Sequence, residues 1–377
     1  MSILLNGEAM KKLNYNKKLI ILIILMAIIS SLSIKSASTL LGYEDNIVCK
    51  QIIWYIVGFI LMFLIQKIDN KIIYKNIWKL YWIGNVLLLL LLIFGKPINN
   101  SRCWFSIFNI TIQPSEFMKI ILILTLGVCI NKFNKNYRKH TIKDEIVFLI
   151  KIFGIVLIPS LLTFLEPDTG AVIIYLVIMT SMLFLSGIKY RWFTILLSTI
   201  ISMLLIICIL YKCNLDLFID IFGSSLLLRM DRLFEWIAKD GYQLSHSLSA
   251  IGAGGVLGFG FNHTPIYFPE ADTDFIFAVF SSNKGIIGSM LLISIITLFD
   301  IILIKKGLSV KDAINKYIIS GTVGMILYCQ FQNIGMTYGV LPITGITLPF
   351  ISYGGSSLLS YLILMGIIIN MKEKNSC

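Results

Sequence analysis

Glu270, Asp272 and Asp274 crowd the start of a long apolar run, in the stretch Phe268-Pro-Glu-Ala-Asp-Thr-Asp-Phe-Ile-Phe-Ala-Val279. Carboxylates at a hydrocarbon boundary must pair, reach back to water or line a wet cavity, so they mark candidate sites. Asp274 is followed at once by Phe275, Ile276 and Phe277 and is the deepest of the three. Loss of water raises a carboxyl's pKa and fits it to take a proton from a substrate. A plainer role is open too, since Thr273 or Asp274 ahead of an apolar helix could cap its first N–H groups.

A second constellation is Ser101-Arg-Cys-Trp-Phe105 with Gln113-Pro-Ser-Glu-Phe-Met-Lys119. Pro114 and Ser115 fit a helix start, and Glu116 and Lys119, three apart, share a face on which they can pair at the membrane surface. Arg102 suits bidentate recognition of phosphate, and Trp104 suits a sugar face or the interfacial belt. In Glu166-Pro-Asp-Thr-Gly170 two carboxylates, Glu166 and Asp168, flank a helix-ending proline. They could bind a cation or a substrate hydroxyl, or cap the next helix. The polar stretch Tyr211 to Thr273 adds Arg229 and Arg232, a pair suited equally to pyrophosphate and to lipid headgroups. It also carries Gln243, after Tyr242, and a periodic segment, Ile219 to Ile237, that predicts an interfacial helix. Its run Ile251-Gly-Ala-Gly-Gly-Val-Leu-Gly-Phe-Gly260 reads as backbone that holds an anion or as close packing at a membrane re-entry. Polar residues and two prolines in Gln332 to Ser357 predict a broken, re-entrant segment.

The elements that must position these groups are transmembrane. The chain is 57% hydrophobic and only 14% charged, with a mean hydropathy of +0.86. That leaves too little polar surface for a water-facing globule, and the expected fold is all-α and polytopic. Ten apolar runs of about the length a bilayer needs occur, at 19–34, 48–65, 77–94, 117–130, 146–165, 171–185, 192–210, 276–304, 317–335 and 352–370. The chain then reads as one unit with an N-terminal tail 1–18, a large outer loop 211–273 between the seventh and eighth helices, and a C-terminal tail 371–377. Met1 to Lys18 with the apolar run after it resembles a signal sequence, but nine more spans succeed it and it reads as a retained first helix. Placing the N-terminus in the cytoplasm puts about two thirds of the 32 Lys and Arg residues on that side. Both termini are then cytoplasmic, and all of these constellations face outward. The formal charge of +12 is therefore topological, with no stripe for nucleic acid. Seven cysteines form no C-x-x-C pair, and three histidines cannot build a multi-His metal site.

In order and spacing these motifs resemble the SEDS family (shape, elongation, division and sporulation), the group containing RodA, FtsW and SpoVE. The resemblance spans nearly the whole chain. It is carried by Arg102 and Trp104 with Gln113 to Glu116 and Lys119, Pro167 to Gly170, Gly241 to Gln243, Pro269-Glu270 with Thr273 to Phe277, and Gln332 to Ser357. It implies a ten-helix glycosyltransferase of the bacterial cytoplasmic membrane that polymerises lipid II at the outer face of that membrane, in elongation, division or sporulation, beside a class B penicillin-binding protein. It further implies that Asp274 is the catalytic carboxylate, with Arg102, Trp104, Glu116, Lys119, Asp168, Arg229, Arg232, Gln243 and Glu270 around the substrate. Arg102, Lys119, Arg229 or Arg232 would help the pyrophosphate depart, and a divalent cation, Mg or Mn, held mainly by phosphate oxygens could share that task. The chain departs from the family pattern in four places. Ser281-Ser-Asn-Lys-Gly285 stands for Gly-Glu-Glu-x-Gly, His263-Thr264 for Gln-Lys, Asp272 for a histidine, and Cys103 for a second arginine. Two alternatives stay open, a flippase for the lipid-linked precursor and a weakly catalytic scaffold that recruits the crosslinking enzyme.

Overall fold

The computed structural model describes residues 14–42, 46–95, 103–107, 110–136, 141–220, 236 and 241–373. Among them every predicted span is a helix: α1 (Asn14–Leu41), α2 (Asn46–Gln66), α3 (Asn70–Phe94), α4 (Pro114–Asn136), α5 (Ile142–Leu165), α6 (Thr169–Phe184) and α7 (Arg191–Cys213), then α9 (Ile276–Ser309), α10 (Ala313–Thr337) and α11 (Gly355–Ile369). The interposed α8 (Tyr242–Gly254) belongs to the outer loop. A small antiparallel hairpin, β1 (Phe105–Ile107) and β2 (Ile110–Ile112), pairs Ser106 with Thr111 ahead of α4. Six helices, α1, α2, α3, α5, α7 and α9, are long and apolar enough to cross a bilayer on their own. The chain is a multi-pass membrane protein.

Helices α6 and α11 have only 16 and 15 residues, about 22–24 Å at 1.5 Å per residue. In α11 the missing outer portion is replaced by non-helical chain, 339–354, as the prolines and glycines there predicted. Irregular backbone at this depth needs internal partners. They come from polar residues embedded in the apolar spans. Tyr55 donates to the Phe350 carbonyl, Ser30 donates to that of Ile351 (2.7 Å), and Gln51 donates to that of Ser352 (3.4 Å). Helices α1 and α2 therefore brace the re-entrant segment from one side, while α11 packs along α2 and α10 lies against α4, α6 and α9. Helix α7 is the outlier, with none of its spanning window buried.

The break in α9 is the feature that shapes the end of the bundle where Asp274 lies. At Gly285 the backbone turns to φ 62°, ψ −163°, inside an otherwise continuous helix. That rotation frees the Ser282 and Asn283 carbonyls and the Ile286 and Ile287 N–H groups, which would otherwise bond one another. The glycine run after α8 takes all four. Phe259 N donates to Ser282 O and Gly260 N to Asn283 O, both at 3.0 Å, while Ile286 N donates to Gly255 O (3.0 Å) and Ile287 N to Val256 O (3.3 Å). The two backbones touch. A methyl group on Gly258 would fall 2.3 Å from Asn283 O, and one on Gly285 2.3 Å from Val256 O, so only glycine fits at either position. Close packing, rather than anion binding, is what these glycines do. Most of the segment Ile219 to Ile237, expected as an interfacial helix, lies outside the described residues.

Candidate active site

Asp274 sits in the turn that feeds α9. The cap position of that helix is Phe275, and no side chain caps it. The capping role open to Thr273 and Asp274 is therefore not taken up. The turn is shaped by Glu270, whose backbone adopts φ 54° and whose carbonyl accepts from Phe275 N at 3.0 Å. Non-glycine residues held at positive φ persist only where surroundings over-determine them. Here Ser352 donates to Thr273 O (2.6 Å), Tyr353 N to Asp272 O (2.9 Å), and Asn333 Nδ2 to both Asp274 O (2.8 Å) and Ile346 O (2.9 Å). Asn333 ties the acid's own backbone to the re-entrant segment. A methyl group on Gly345 would lie 3.5 Å from Asp274 Oδ2, so the carboxyl faces bare backbone there. Burial, with the negative charges of Glu270 and Asp272 beside it, pushes the Asp274 carboxyl up to about 7. Asp272 is also raised, chiefly by burial. Glu270 is exposed and accepts from Thr273 Oγ1 (3.0 Å).

The other side of the re-entrant segment meets the connector between α5 and α6. A methyl on Gly170 would come within 3.1 Å of both Thr344 O and Ile346 Cγ1, and 3.7 Å from Asp168 Oδ1. Asp168 caps α6, accepting from Ala171 N (2.9 Å), and also receives Gln113 Nε2 (2.8 Å) and Ser115 Oγ (3.2 Å). The start of α4, the connector, the Thr344–Ile346 segment and the turn of Asp274 are thus one continuous patch, assembled from four separate parts of the sequence.

Lys119 and Glu116 pair at 2.5 Å as their spacing predicted, but inside the protein rather than at the membrane surface. Lys119 is only 2% exposed and lies 5.5 Å over the Tyr361 ring. With its charge committed to Glu116, Lys119 props the site from behind and is not free for a phosphate. Trp104 is half-buried beside Cys103, whose thiol donates to Glu166 O (3.0 Å). Gln243 stands on the first turn of α8, which docks on the outer end of α10 through Ser247 donating to Thr337 O (3.3 Å). Arg102, Arg229 and Arg232 lie outside the described residues. Among the described residues no group of three His, Cys, Asp or Glu side chains could hold a metal ion. Sequence reasoning missed Asn333, Ser352, Tyr55 and Gln51 as individuals. Their signal was a polar side chain within or beside an apolar run.

A polytopic helical bundle of this kind has known counterparts. The family model described as "Cell cycle protein" (FtsW, RodA, SpoVE) matches residues 13–377, and the chain belongs to that family. It is 31% identical over 373 residues to a probable peptidoglycan glycosyltransferase FtsW of Coxiella burnetii, covering 95% of this chain and 96% of the relative. It is 32% identical over 308 residues to stage V sporulation protein E of Bacillus subtilis, covering 76% of each. Among solved structures, a chain of a peptidoglycan synthase complex that coordinates polymerization and crosslinking superposes with a TM-score of 0.73 at 24% identity, over 93% of this chain and 95% of that one. The rod shape determining protein RodA of Thermus thermophilus gives 0.65 at 23% identity, over 93% and 94%. At those identities the structures bear on the fold.

Proposed function

We propose that this protein is a peptidoglycan glycosyltransferase that polymerises lipid II at the outer face of the bacterial cytoplasmic membrane, with both termini in the cytoplasm and a class B penicillin-binding protein as partner. The observation that carries the reading is the placement of Asp274 against the bare backbone of Gly345, with its carboxyl pushed up to about 7. Near neutral pH such a group exchanges protons readily, as a general base must. In the reaction an acceptor sugar hydroxyl attacks the anomeric carbon of a donor lipid. The new glycosidic C–O bond forms as the bond to pyrophosphate breaks, the hydroxyl proton passes to Asp274, and undecaprenyl pyrophosphate leaves.

Negative charge builds on the departing pyrophosphate and must be met by cations. Lys119 is spent on Glu116, which leaves Arg102, Arg229 and Arg232 as the residues offered for that work. A divalent cation would arrive with the phosphates, since the described side chains build no cage of their own for it. The deciding experiment supplies labelled lipid II to the purified protein, with and without its cognate penicillin-binding protein. Glycan strands from the wild type and none from Asp274→Asn are expected. Strands from both would remove Asp274 from the chemistry. No strands from either, alongside lipid flipping or rescue of a null strain by Asp274→Ala, would favour the flippase or scaffold.

A further inference from the structure

Glu166 and Asp168 stand two residues apart on one connector, in opposite surroundings. The carboxylate of Asp168 receives three donors. That of Glu166 has no solvent exposure at all, and neither oxygen has a hydrogen-bond partner among the described residues. Among the described residues, the groups packed around it offer no relief. On the connector itself the nearest charge is Asp168, of the same sign. Tyr175 on α6 gives its hydroxyl to Ser115 O (3.0 Å). On α4, Lys119 is bound to Glu116. The Cys103 thiol reaches the backbone carbonyl of Glu166 and not its carboxyl. A buried carboxyl without donor or cation keeps its proton, and if ionised it is driven toward water.

We propose that Glu166 is a proton-dependent latch: while protonated it lets the connector lie against Thr344–Ile346 and so keeps Gly345 behind Asp274, and on ionising it pulls the connector away and halts turnover. The link is Gly170 on the first turn of α6, which packs against Thr344 and Ile346 and is separated from Glu166 by only Pro167, Asp168 and Thr169. Burial, and after it the charge of Asp168, pushes Glu166 up from 4.5 to about 8, within reach of ordinary working pH. Glu166 never touches substrate here and is a positioning residue. The catalytic half of the proposal rests on Asp274 being the base, as in the proposed function, while the latch itself does not.

The test uses the full chain, purified in detergent, as wild type, Glu166→Gln and Glu166→Met, both neutral and close in volume. Melting temperature and lipid II polymerisation with the partner are followed from about pH 5 to about pH 9. A carboxyl whose folded pKa lies above its unfolded one stabilises the fold fully below about 4.5, and that stability drains away as pH climbs to about 8. The wild type is therefore expected to lose melting temperature across that window more than either variant. Its turnover is expected to drop about tenfold for each pH unit above 8, while the variants hold their rate. Two results overturn the proposal. One is an alkaline decline in melting or rate that both variants share with the wild type. The other is inactivity of both variants at neutral pH with wild-type melting, which would make the acid itself a reactant. If no form polymerises lipid II, the melting comparison alone decides the latch and the failure belongs to the functional reading.

Discussion

The bond from Thr264 Oγ1 to Asn283 Oδ1 (3.0 Å) predicts how charge at this point must behave. Both residues stand where the family pattern carries charge, Thr264 in place of a lysine and Asn283 in place of a glutamate. The structure brings the two positions into contact through a neutral hydrogen bond. Asn283 is 3% exposed. Asn283→Glu alone would bury a carboxylate with one hydroxyl donor, a penalty of about 3–5 kcal/mol. Adding Thr264→Lys sets an ammonium about 3–4 Å away, and at an effective dielectric of about 20 the attraction is about 4 kcal/mol, enough to recover most of that loss. Melting of the two single variants and the double variant in detergent, with lipid II polymerisation measured on each, completes the cycle. The expected outcome is a deep loss in Asn283→Glu, a smaller one in half-buried Thr264→Lys, and a double variant near the wild type in stability and rate. A double variant no better than the sum of the singles would refute the pairing. So would an Asn283→Glu chain as stable as the wild type.

Three more outcomes are expected. Asp274 acts as a base only when ionised, so turnover should rise with pH through about 7, and Glu270→Gln, which removes a like charge, should move that rise to lower pH in a pH–rate profile. Asn333→Ala orphans the carbonyls of Asp274 and Ile346, at about 1–3 kcal/mol each, and should lower turnover about tenfold or more with the protein still folded, as read by melting and single-turnover kinetics. Gly258→Ala places a methyl 2.3 Å from Asn283 O at a backbone φ of +80°, and should cost about 2 kcal/mol or more in melting, with loss of activity, whereas exposed Gly252→Ala should cost little.

The ten spans were legible because hydropathy over a bilayer's length is a strong, local signal, and the polar starts of α4 and α6 moved their ends by only a few residues. The re-entrant segment was legible from Pro342, Pro349 and their glycines. Helix α8 was not. Its sequence ends with two glycines, Gly252 and Gly254, which are poor helix formers, and it is held by contacts with α9 and α10 that no local pattern announces. The candidate site was half legible. Asp274 stood out by its neighbours, but the pairing of Asp168 with Gln113 and the reach of Asn333 to Asp274 depend on segments more than fifty residues apart meeting in space. Glu166 and Asp168 looked equivalent in one dimension, and only burial separates them.

The interruption at Gly285 divides α9 mechanically. The lower portion is anchored far from the acid, with Asp300 receiving Gln330 Nε2 (3.1 Å) and Lys306 gripping Glu373 (2.6 Å). The upper portion, which follows the turn of Asp274, is laced to the run of glycines after α8, and the same run holds Ile286 and Ile287 just below the break. A load applied to this segment would thus bear on α9 at the break itself, close to the turn of Asp274, while the foot of the helix is held elsewhere. Whatever bears on that segment would act next to the Asp274 turn, with no need to disturb the rest of the bundle.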